Sequence, residues 1–103
     1  MLFMIIESFE DNDMIPVYRQ LQRGGGKLPE GLKYIDSLVE PNFGRCFQLM
    51  ETDDVRTIQR WVLGWRGCGA TFEVVLVVSS ADTREVVKPF LAISPGAGKH
   101  RAL

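Results

Sequence analysis

The sequence is poor in the residues that usually announce a reaction. It holds one histidine, His100, and two cysteines, Cys46 and Cys68. Neither cysteine sits in a C-x-x-C pair, and His100 stands far from both. No zinc set can be assembled within one chain, and no cofactor is expected. Two lone thiols suit a reducing, cytoplasmic setting better than secretion. Charge of one sign is missing too: 12 basic and 13 acidic side chains leave a net charge of −1. Without a basic field there is nothing to draw in a nucleic-acid backbone, so no nucleic acid is expected as a partner.

Long apolar runs are also lacking. The opening MLFMII turns acidic at Glu7. It has no basic lead-in and no small-residue cleavage site, and it falls well short of the roughly 20 residues of a membrane span. It reads as a buried strand, and no membrane association is expected. GAGKH near the end resembles a phosphate loop only superficially. The position five before Gly98 is Ile93 and the residue after Lys99 is His100, where that loop needs Gly and Ser or Thr. Gly24-Gly25-Gly26-Lys27 fails in the same way, because Leu28 and Pro29 follow.

What is present is an ordinary globular composition, 46% hydrophobic and 24% charged over 103 residues, which argues for one small domain with a real core. Met1 to Phe9 reads as a first strand, broken by Glu10-Asp11-Asn12-Asp13. Asp13 is a plausible helix N-cap, with Pro16 in the first turn and Met14, Val17, Tyr18 and Leu21 at helical spacing. The three glycines stop that helix. Leu32 to Glu40 and Arg45 to Glu51 form a hairpin around Pro41-Asn42-Phe43-Gly44. Thr52-Asp53-Asp54 caps a second helix carrying Val55, Ile58, Trp61, Val62 and Trp65 in one stripe, closed by Gly67-Cys68-Gly69. Phe72 to Val78, FEVVLVV, is the clearest strand. A last short helix opens at Ser79 or Ser80, with Asp82 and Glu85 at capping-box spacing, and Pro89 is expected to kink or end it. The domain is placed at residues 1–93, and the tail 94–103 is expected to fray.

The order β-α-β-β-α-β with a terminal helix predicts an α+β, ferredoxin-like sandwich. In a monomer of that kind one sheet face meets water and its strands alternate. The outer strands here do not. The first offers Leu2, Met4 and Ile6 on one side and Phe3 and Ile5 on the other; the last offers Phe72, Val74, Leu76 and Val78 against Val75 and Val77. A second apolar face larger than monomers tolerate implies a lid. A second copy of the sheet is the expected lid, giving a homodimer through the open sheet face.

The opening MLFMIIESF, the stretches LPEGLKYIDSLVE and GRCFQLMETDD, the pair Trp61 and Trp65, and FEVVLVV carry a resemblance over about residues 1–91. The chain resembles a bacterial family of unknown function within the dimeric α+β barrel superfamily. The resemblance implies a dimeric α+β barrel and carries over no catalytic residue.

Among polar residues, Gln48 lies mid-strand, where an unpaired buried amide would cost about 1–3 kcal/mol. It must bond to protein or touch a ligand. Tyr34 and Asp36 are expected to share a face of the second strand, and Glu51 and Glu73 to be solvated or paired with Arg45. Cys46 lacks a nearby histidine and reads as a packed thiol. The indoles of Trp61 and Trp65 either fill the helix-to-sheet space or wall an apolar cavity there. The expected ligand site is such a cavity, lined by Tyr34, Gln48, Trp61 and Trp65. Two functions follow from these residues. One is a non-enzymatic homodimeric module that binds a small apolar or aromatic molecule or serves in assembly. The other is a cofactor-independent oxygenase or isomerase acting on an aromatic or polyketide-like substrate, with Tyr34, Asp36 and Gln48 orienting it.

Overall fold

A computed structural model describes residues 1–24 and 27–92 of the chain. The expected tail at 94–103 and the stop at Gly25-Gly26 lie outside the described residues. The elements are β1 (Leu2–Phe9), α1 (Ile15–Gln22), β2 (Lys33–Val39), β3 (Arg45–Glu51), α2 (Val55–Gly64), β4 (Ala70–Val77) and α3 (Ser80–Leu91). The four strands form one antiparallel sheet ordered β2-β3-β1-β4. This is the ferredoxin-like α+β arrangement expected from the sequence.

Local chemistry sets the boundaries. After β1 the chain turns through Asp11 and Asn12 at φ 56° and 54°, a left-handed conformation that short polar side chains tolerate. Asp13 Oδ1 accepts the Ile15 N–H at 3.0 Å, at the mouth of α1. Asp54 caps α2 by accepting the Arg56 N–H at 3.0 Å. Ser79 caps α3, accepting the Asp82 N–H at 3.0 Å, so the cap reaches from Ser79 to Asp82 rather than from Asp82 to Glu85. Pro89 does not end α3, which continues through it to Leu91.

Strand parity decides which side chains reach the core. Phe3, Ile5, Glu7 and Phe9 of β1 are buried, while Leu2, Met4, Ile6 and Ser8 between them are half-buried. The first set faces α1 and α2 together with Cys46 and Met50 of β3, and with Met14, Val17, Ile58, Trp61 and Trp65 it makes the core. The second set shares the opposite face with Phe47 and Leu49 of β3, Leu38 of β2, and Val75 and Val77 of β4. No described element covers that face within the chain.

The terminal helix α3 does not lie on either face. None of its residues is buried, and Val86, Phe90 and Leu91 are 67–77% exposed. The Cα radius of gyration is 18.3 Å, against about 13 Å for a compact domain of about 100 residues. The helix stands off the body as an arm.

Candidate functional site: a cavity between sheet and helices

The cavity is built from the sheet upward. β1 contributes Glu7 and Phe9 to its floor, and β3 contributes Cys46, Gln48 and Met50. From α2, Trp61 meets Phe72 of β4 edge-on, with ring centroids 5.4 Å apart and planes at 72°, and meets Trp65 at 6.5 Å and 69°. These edge-to-face contacts join Trp65, Trp61 and Phe72 in one packed aromatic row along the cavity. α1 has only eight residues, about 12 Å of helix. A space of about 320 Å3 remains between α1, α2 and the sheet. Its rim is Tyr18, Leu21, Leu28 and Tyr34, each 41–49% exposed, so it opens between α1 and β2, beside the hairpin.

Inside, the polar groups are few and poorly satisfied. Glu7 is 3% exposed. Its carboxylate oxygen Oε1 accepts one hydrogen bond, from Gln48 Nε2 at 3.4 Å. Burial pushes the carboxyl above its ordinary value, and the Gln48 amide offsets only part of that rise. The Cys46 thiol, opposite Glu7 in the β1–β3 register, is pushed up to about 11 by burial and then by the nearby carboxylate. The indole Nε1–H of Trp65 is buried with no acceptor, the one such side-chain atom among the described residues. No Lys, Arg or His side chain lines the cavity.

Tyr34, Gln48, Trp61 and Trp65 all line this one cavity. Asp36 does not join them. A bulge between Tyr34 and Asp36 inserts Ile35, so Tyr34 pairs with Met50 on the helix side and Asp36 with Leu49 on the open side. The Tyr34 hydroxyl donates to Ser37 Oγ at 2.7 Å, and Asp36 Oδ1 accepts the Ser37 N–H at 2.8 Å. Glu51 and Glu73 are exposed, the solvated one of the two alternatives, and Arg45 pairs elsewhere. Its guanidinium makes a two-point pair with Glu40, at 2.9 Å on each arm, instead of with Glu51 or Glu73. Gln48 finds its partner inside the chain, in Glu7. The residue that sequence reasoning passed over is Glu7 itself, which shares strand parity with Phe3 and Ile5.

Among the described residues there is no cluster of His, Cys, Asp and Glu suited to a metal ion. No helix among them is long and apolar enough to cross a membrane. No curated protein and no solved structure is significantly similar to the chain. The profile of DUF3303, a domain of unknown function, matches residues 1–91, and the chain belongs to that family.

Proposed function

We propose that this chain is a homodimeric module that binds a small, largely apolar or aromatic molecule in the cavity between α1, α2 and the sheet. The observation that carries the reading is the cavity itself: about 320 Å3, at the lower end of the size range of small-molecule sites. It has a buried aromatic wall, the polar pair Glu7 and Gln48, and a mouth at α1 and β2. A domain with no binding role gains by closing such a space, since unfilled volume in a core costs stability.

The homodimer rests on the other sheet face. Four strands of seven or eight residues span roughly 500 Å2 in projection, apolar at its centre. A stable interface buries about 800 Å2 on each partner. The arm α3 supplies the balance, since Val86, Val87, Phe90 and Leu91 form one exposed stripe along it. A second copy accounts for both surfaces: sheet against sheet, with each arm reaching onto its partner.

A second reading is favoured by one residue. Glu7 is a titratable group in an apolar cavity, the condition for proton transfer in a cofactor-independent isomerase or oxygenase. The test of the binding reading comes first. Naphthalene added to the 15N-labelled chain should shift the indole N–H resonances of Trp61 and Trp65. Unmoved indoles at saturating naphthalene would contradict it.

A further inference from the structure

The lining of the cavity defines which largely apolar molecule fits, given the binding reading above. Five of its residues are aromatic (Phe9, Tyr18, Tyr34, Trp61 and Trp65), one is acidic, Glu7, and none is basic. Glu7 is 3% exposed, and its Oε1 accepts the Gln48 amide at 3.4 Å. Its second oxygen, Oε2, accepts no hydrogen bond among the described residues. Nor is Oε2 sealed in, since the one enclosed and unpartnered side-chain polar atom among them is Trp65 Nε1. Oε2 therefore borders open space, and the space that Glu7 lines is the cavity.

We propose that the cavity takes a primary arylalkyl amine, whose ammonium pairs with Glu7 Oε2 among the surrounding rings. A nearly buried acid with a free oxygen gains a charge-assisted hydrogen bond from such a group. Aromatic rings attract the same cation at close range. Either protonation state of the free acid leads to this pair: an ammonium meets a carboxylate directly, or meets a carboxyl whose proton leaves to solvent. Gln48 keeps its amide on Oε1 and leaves Oε2 to the ligand. A hydrocarbon would leave Oε2 without a partner. A neutral hydroxyl would donate to Oε2 but draw no cation attraction from the rings. An anionic ligand would enter beside an acid, with no cation in the lining to hold it.

The experiment compares four probes of one shape on the full chain: naphthalene, 2-naphthylmethanol, 2-naphthylmethylamine and 2-naphthoate. Binding is followed through the two indole N–H resonances, assigned with Trp61→Phe, and through the 13C resonance of the Glu7 carboxyl. The amine should bind about tenfold tighter than naphthalene or better, as one hydrogen bond to a charged group implies. It should outbind the alcohol, and the naphthoate should bind most weakly. The Glu7 carboxyl resonance should move more with the amine than with naphthalene. Glu7→Gln changes one atom of the side chain and should erase the amine's advantage, in a chain whose 15N spectrum keeps the dispersion of the parent. If that variant does not fold, the ranking of the four probes on the parent decides.

Naphthalene or the alcohol binding as tightly as the amine would overturn this inference while leaving the cavity a binding site. Tighter binding of the naphthoate would overturn it too, as would an amine advantage that survives Glu7→Gln. If no probe binds, the inference and the binding reading fall together.

Discussion

Gln48 reaches diagonally from β3 to β1 and places its Nε2 donor 3.4 Å from Glu7 Oε1. In this way the single polar residue in the middle of β3 orients the single acid on the buried face of β1. Both side chains line the same cavity.

The carboxyl of Glu7 leaves a signature in stability. Its folded-state pKa lies above the ordinary value of 4.5 because of burial. Between those two values the folded chain holds a proton that the unfolded chain has lost, so stability falls as pH rises through that window and stays reduced above it. Glu7→Gln removes the effect. Denaturant midpoints measured from pH 4 to 8 should show Glu7→Gln gaining on the parent as pH rises, with the difference vanishing toward pH 4. A difference that is largest at low pH would contradict the assignment.

Cys46 should behave as an inert thiol. With its pKa pushed to about 11, its thiolate fraction at pH 8 is roughly a hundredfold below that of a free cysteine. In a Cys68→Ser background, iodoacetamide should alkylate the folded chain at least that much more slowly than the denatured chain.

Trp61 braces the wall of the cavity against Phe72. Trp61→Ala should cost about 3–5 kcal/mol, a large part of the 5–15 kcal/mol typical of a domain. A loss below about 1 kcal/mol in a urea titration would mean that the indole does not brace the fold.

Fold and site were unequally legible in the sequence. The capping residues Asp54 and Ser79, the stripe through Ile58, Trp61 and Trp65, and the hairpin at Pro41 to Gly44 follow from local chemistry, and they gave the element order. Glu7 was legible in principle. Alternation puts it on the face of Phe3 and Ile5, and a lone acid with that parity in an apolar strand must be buried and partnered or functional. Asp36 was not legible, because one inserted residue at the Tyr34/Asp36 bulge moves it to the opposite face and no local composition marks that insertion. The arm α3 escaped for a different reason. Its stripe of Val86, Val87, Phe90 and Leu91 promises burial without saying against what.

The two unpartnered apolar surfaces make separate demands on a dimer. Leu49, at the centre of the open face opposite Met4, should tolerate no charge there. Leu49→Glu is expected to yield monomers that keep the far-ultraviolet dichroism of the parent. Phe90→Ala on the arm should weaken association by tenfold or more, as truncated aromatic anchors do, without altering the cavity.

The homodimer is the part of the account on which the rest of the surface depends, and a mass measurement tests it most directly. Light scattering of the purified chain at low micromolar concentration should give twice the 11.6 kDa of one chain. A mass of 11.6 kDa under those conditions would contradict it.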